Sequence, residues 1–141
     1  MLRKLIPDVV QRQDLATLLA SATVREAATL MRARHIGSVL VVAADGTLEG
    51  IFTERDLVCR VVAERKNPDR TKLGAVMTAR PQCGRPETTA IDALRAMHDG
   101  GFRHLPVVKD GKPVAVVSRR DFFGIEKARI DEESELWAHI R

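Results

Sequence analysis

Thr53-x-x-Asp56 and Ser118-x-x-Asp121 each set a hydroxyl three residues ahead of a carboxylate, twice in one chain. At a helix start this spacing has two readings. The hydroxyl can cap the first free amides while the acid reaches back, a common way to begin a helix. The same amides and hydroxyl also make a natural phosphate site, and the carboxylate can accept hydrogen bonds from both hydroxyls of a sugar diol. Arg55, Arg119 and Arg120 lie between hydroxyl and acid, either as solvent-facing helix residues or as further phosphate contacts. Arg103 and His104 stand just before the apolar run Leu105-Pro106-Val107-Val108. Adjacent cations at the mouth of a buried strand are costly unless paired or solvated. One reading is an exposed Arg beside a capped or core His. The other is a phosphate clamp, which suits a planar guanidinium next to an imidazole.

Other reactive residue types form no recognisable constellation. Cys59 and Cys83 lack the paired spacing of a zinc site and read as small packing residues. His35 and His98 follow apolar helical stretches, where an imidazole can stabilise the negative end of a helix. There is no GxGxxG or Walker loop, no metal-ligand spacing and no Ser-His-Asp order. The expectation is a non-enzyme, with no catalytic residues and no metal.

The elements that must position these residues are written twice. Thr23-Val24-Arg25-Glu26-Ala27-Ala28-Thr29-Leu30-Met31 aligns with Thr89-Ala90-Ile91-Asp92-Ala93-Leu94-Arg95-Ala96-Met97. In step with it, Ile36-Gly37-Ser38-Val39-Leu40-Val41-Val42 faces Phe102-Arg103-His104-Leu105-Pro106-Val107-Val108. After one deletion in a turn, Asp45-Gly46 meets Asp110-Gly111, and the Thr53 and Ser118 motifs coincide. Each copy predicts a helix capped at Thr23 or Thr89, an apolar strand, an Asp-Gly hairpin turn, a second strand, and a helix from Thr53 or Ser118. Leu57, Val58, Val61 and Val62 would line the apolar face of the Thr53 helix. The tail carries the run Asp131-Glu132-Glu133-Ser134-Glu135, read as a helix start or solvated face, with Trp137 and Ile140 packing back. Two halves, each with one uncovered sheet face, would bury that face against each other and leave two equivalent clefts.

Composition narrows the partners. At 141 residues, with 45% hydrophobic and 30% charged residues, the chain is long enough for one domain or two small halves sharing a core. A net charge of +4 is modest and dispersed, and four Phe, one Trp and no Tyr leave few stacking platforms. Nucleic acid is therefore an unfavoured partner. The apolar runs Ser38–Ala44 and Pro113–Val117 are too short to cross a bilayer, and the first residues lack the pattern of a secretion signal. The expectation is a cytoplasmic protein with no membrane partner.

With these blocks in order, the chain resembles tandem cystathionine-β-synthase (CBS) domains, the pair often called a Bateman module. The resemblance covers about residues 8–125 and rests on residues 23–31, Gly-Ile-Phe-Thr-Glu-Arg-Asp (50–56), Val-Met-Thr-Ala-Arg-Pro (76–81), Arg-His-Leu-Pro-Val-Val (103–108) and Val-Ser-Arg-Arg-Asp (117–121). It implies an α+β (α/β-like) fold of two βαββα repeats packed by pseudo-twofold symmetry. The repeats would span 8–66 and 73–125, with a linker at 67–72 and a helical C-terminal tail at 126–141.

The resemblance also implies a regulatory module that binds AMP, ADP or ATP, with S-adenosylmethionine or NAD(H) as alternatives. A protein-interaction module without a small ligand is the rival reading. A homodimer acting on a separate effector protein is implied too. Carried over, Thr53 and Ser118 contact phosphate, and Asp56 and Asp121 contact ribose, with Arg55 and Arg120 as further contacts. Arg103 and His104, with Pro106 in the same motif, would share one cleft with Thr53 and Asp56. Gly37 and Ser38 hold the matching positions and would share the other with Ser118 and Asp121. Thr78 and Pro81 lie in the segment that holds the base. Because only one cleft has the cationic pair, phosphate is expected to bind more tightly at Asp56 than at Asp121.

Overall fold

In the computed structural model, which describes residues 2–122 and 125–140, Thr23 opens helix α1 (Val24–Arg34) as its spacing predicts. The Glu26 amide donates to the Thr23 hydroxyl at 3.2 Å, and the Thr23 amide donates to the Glu26 carboxylate at 2.8 Å. Val24, Ala27 and Met31 follow at helical spacing and enter one core. That core is shared with strands β2 (Ser38–Val42) and β3 (Leu48–Thr53). Short strands β1 (Thr17–Leu18) and β4 (Thr78–Ala79) complete a sheet of order β1-β2-β3-β4. β1 runs parallel to β2, and the other two pairings are antiparallel. Helix α3 (Leu73–Val76) closes the core with two buried side chains, Leu73 and Val76.

After β3 the chain enters α2 (Glu54–Asp56), which continues as a π-helix over Leu57–Val62. Val61 is fully buried, but Val58 and Val62 are 59% and 64% exposed. The expected four-residue apolar face is thus split. Val62, next to Val61 along the helix, turns outward when Val61 turns in.

The second core repeats this plan. Thr89 caps α4 (Ala90–Gly100), and Ala90, Ile91, Ala93, Leu94 and Met97 are buried against β5 (His104–Lys109) and β6 (Lys112–Ser118). The hairpin turns through Asp110 and Gly111, with φ of 54° and 78°. Positive φ at both central residues is the reason Asp-Gly predicts this turn. Leu5 also belongs to this core. The Ala90 amide donates to Arg3 O at 2.7 Å, just as the Val24 amide donates to Thr71 O at 2.9 Å. The segment completing the helix start therefore precedes α4 by more than a repeat but follows α1 in the chain. The two compact units follow suit: residues 14–82 with 110–113 form one, and 2–13, 83–109, 114–122 and 125–140 the other.

The end of the second repeat departs from expectation. Ser118 opens a single 3-10 turn (Arg119–Asp121) rather than a helix. Phe122 then returns to extended backbone, φ −98° and ψ 131°, with its ring only 2% exposed. Burying that ring ends the turn. Helix α5 (Ile125–Ile140) packs on α4 through buried Ile130 and an Arg95–Glu133 pair at 3.0 Å. Arg119 Nη2 lies 3.4 Å from His98 Nδ1, and His98 Nε2 lies 2.9 Å from Ser134 Oγ. The acidic run is therefore mid-helix, not a helix start. Trp137 is 62% exposed rather than packed back, and the Ile140 side chain lies outside the described residues. Cys59 and Cys83 are exposed rather than core. Among the described residues, no helix is long and apolar enough to cross a membrane.

Candidate functional site

The two hydroxyl–carboxylate motifs adopt the same local geometry. Asp56 Oδ2 accepts from the Thr53 amide at 3.0 Å and from Thr53 Oγ1 at 3.1 Å, while the Asp56 amide donates back to Thr53 Oγ1 at 3.2 Å. Asp121 Oδ2 accepts from the Ser118 amide at 2.7 Å and from Ser118 Oγ at 3.2 Å. Each acid thus curls back over its own turn, as a capping residue does. Asp56 is only 8% exposed, and Asp121 is half-buried. A carboxylate that deep must keep its hydrogen bonds, because an unpaired one would be strongly disfavoured.

The strand ends position these turns from beneath. Gly37 O accepts from the Glu54 amide at 3.1 Å, and Arg103 O accepts from the Arg119 amide at 3.1 Å. Gly37 and Ser38 are buried, and Ser38 is the register partner of Thr53. Within one unit the structure brings Gly37, Ser38, Thr53 and Asp56 together. Within the other it brings Arg103, Ser118 and Asp121 together, with His104 beginning β5. Arg103 is exposed, His104 half-buried and Pro106 buried. The Pro106 carbonyl accepts from the Gly84 amide at 2.8 Å, and the Val108 amide donates to Gly84 O at 2.9 Å.

Thr78, half-buried in β4, is the register partner of Ile51, and half-buried Pro81 follows Arg80, whose φ is 46°. Arg55 and Arg120 are exposed. One residue escaped the sequence reading. Arg60 Nε lies 3.5 Å from Asp56 Oδ1, and Arg60 Nη1 donates to Met77 O at 2.9 Å and Val76 O at 3.3 Å. Its signal was a cation four residues after an acid on a helix, a pairing too common to single out.

Chemically, each motif offers a hydroxyl and a polarised helix turn to an anion and a carboxylate to hydroxyl donors. The comparisons identify the family. The CBS domain profile matches residues 7–63 and 73–126. A CBS domain-containing protein of Arabidopsis thaliana is 39% identical over 110 residues, 77% of this chain and 20% of that protein. The chain thus spans about a fifth of the length of that relative. Among solved structures, a candidate signal-transduction protein with CBS domains from Burkholderia ambifaria is 31% identical, with a TM-score of 0.72 over 78% of this chain and 79% of that one. A CBS domain protein from Pyrobaculum aerophilum complexed with AMP is 26% identical, with a TM-score of 0.76 over 89% of this chain and 95% of that one. With an α+β fold, two matched repeats and a C-terminal helix, the chain belongs to the CBS domain family as a tandem pair.

Proposed function

We propose that this tandem pair is a non-catalytic, ligand-sensing module that binds an adenine nucleotide and signals by a change of conformation. The observation that carries the reading is the repeated hydroxyl–carboxylate turn, with Asp56 buried at 8% exposure. Thr53 and Ser118 would take phosphate, and Asp56 and Asp121 the ribose diol. Arg103, His104 and Pro106 would be further ligand contacts. Gly37 and Ser38 would add contacts from the strand start, with Arg55 and Arg120 as outer phosphate contacts. Thr78 and Pro81 would border the base. The AMP-bound relative from Pyrobaculum aerophilum supports AMP as the first ligand to try. ADP, ATP, S-adenosylmethionine and NAD(H) are the variants.

The nucleotide would act by its differential affinity for two arrangements of the protein. Output would pass to a separate effector in the cytoplasm. Exposed Val58 and Val62 support a protein-facing surface, which we assign to a homodimer. Thermal shift with each candidate ligand tests the reading, because any ligand that prefers the folded state raises its stability. Stabilisation by one adenine nucleotide at submillimolar concentration, without turnover, is the expected result. No shift with any of them, in a sample freed of co-purified ligand, would leave the interaction-module reading in its place.

A further inference from the structure

Arg60 sits one turn after Asp56, and its guanidinium reaches in two directions. Nη1 holds the Val76 and Met77 carbonyls, the last backbone acceptors before Thr78. Nε pairs with Asp56 Oδ1. The other carboxylate oxygen already serves Thr53 twice. Both oxygens of Asp56 are therefore engaged before any ligand arrives. In the second motif Asp121 Oδ2 serves Ser118 in the same way, but the residue four positions on is Ile125, which has no charge to offer.

A vicinal diol carries two donors and binds a carboxylate best when both oxygens have free lone pairs. The Arg60 side chain is 49% exposed and its Nε lies 3.5 Å from Asp56 Oδ1, so the ion pair sets only a small barrier. We propose that Arg60 is a specificity-determining residue of the Asp56 half-site: its guanidinium leaves Asp56 Oδ1 to admit a ribose diol, and its Val76 and Met77 contacts keep the neighbouring backbone in place. The inference rests on the nucleotide reading above. It divides the two half-sites by chemistry. At Asp56 the diol meets a charged competitor from the residue four positions on, which the matching Ile125 does not supply to Asp121.

The test is calorimetry with AMP and 2′,3′-dideoxy-AMP on Asp121→Ala protein, with and without Arg60→Met. The two ligands carry the same phosphate, so loss of the Arg60 charge acts on both alike. Preference for AMP over the dideoxy compound should rise about 2- to 5-fold when Arg60 is replaced, the range set by an exposed ion pair. Arg60→Gln, which keeps a donor for Met77 O, should give the same rise and serves if the methionine variant fails to fold. An unchanged preference in proteins that bind AMP overturns the role of Arg60 and leaves the nucleotide reading standing. Silence toward AMP from wild type and every variant removes both.

Discussion

The Leu5 amide donates to Thr88 O at 2.9 Å, and the Leu5 side chain is completely buried beside Ala90, Leu94 and Leu105. The first residues of the chain are thus part of the second repeat's core. Leu5→Ala should remove that side chain from a packed site and destabilise the unit by about 2–5 kcal/mol. Denaturant unfolding followed by hydrogen exchange on α4 and β5 measures it. A loss below about 0.5 kcal/mol, or one confined to residues 14–82, would show that the segment does not complete this core.

Gly50 faces the opposite constraint. A Cβ there would stand 2.5 Å from Met77 Sδ and 2.9 Å from Thr78 O, where β3 meets β4. The methionine can move, but the Thr78 carbonyl is backbone held in the strand. Gly50→Ala should therefore destabilise by about 1–3 kcal/mol through overpacking. It should also weaken nucleotide binding, since the displaced backbone carries Thr78. Unfolding curves and calorimetry on the same sample check both; unchanged stability would mean the two strands separate freely.

These two residues show where sequence reading reaches and where it stops. The caps at Thr23 and Thr89, the Asp-Gly turn and the Thr53 and Ser118 motifs are local devices, so spacing alone exposes them. Leu5 belongs to a distant repeat, and no local pattern announces that partner. Val58 and Val62 sit on an apolar stretch, but periodicity cannot say which half of a wide face is covered. The turn at Ser118 fails to become a helix because the core claims Phe122, a tertiary demand that overrides local preference. Arg60 is found only by its reach to the carbonyls of Val76 and Met77. Such backbone acceptors have no residue signature.

Two surface aspartates give a pH signature. Hydrogen bonding from the Thr47 amide, at 3.0 Å, holds the Asp45 carboxyl below its usual range. Asp69 is lowered by its hydrogen bonds from Arg25, at 2.8 and 3.2 Å. A carboxyl depressed in the folded state adds stability above its unfolded pKa and loses it as pH falls through the folded value. The stability gap between wild type and Asp45→Asn or Asp69→Asn should therefore be widest near neutrality and close in acid below the ordinary carboxylate range. Salt separates the two: the exposed Arg25–Asp69 pair should weaken in 1 M salt, a concentration at which screening reaches about 3 Å, and the Asp45–Thr47 bond should not. Gaps that stay constant with pH would refute the assignment.

Asp56 and Asp121 offer the most direct trial of the site. Replacing either by Asn keeps the shape and one acceptor but removes the charge that strengthens a hydrogen bond to a diol. Hydrogen bonds to charged groups are worth about 1.5–3 kcal/mol, so each substitution should weaken nucleotide binding at its own half-site about 10- to 100-fold. Both acids also hold their own turns, through Thr53 and Ser118. Stability must therefore be measured beside affinity. Thr53→Val is the control that separates the roles, because it removes a cap and the proposed phosphate contact but leaves the proposed ribose acceptor. If Asp56→Asn and Asp121→Asn lose stability while AMP affinity stays unchanged, the carboxylates are caps and nothing more. A loss of affinity that disappears when 2′,3′-dideoxy-AMP is the ligand would instead identify the sugar diol as their partner.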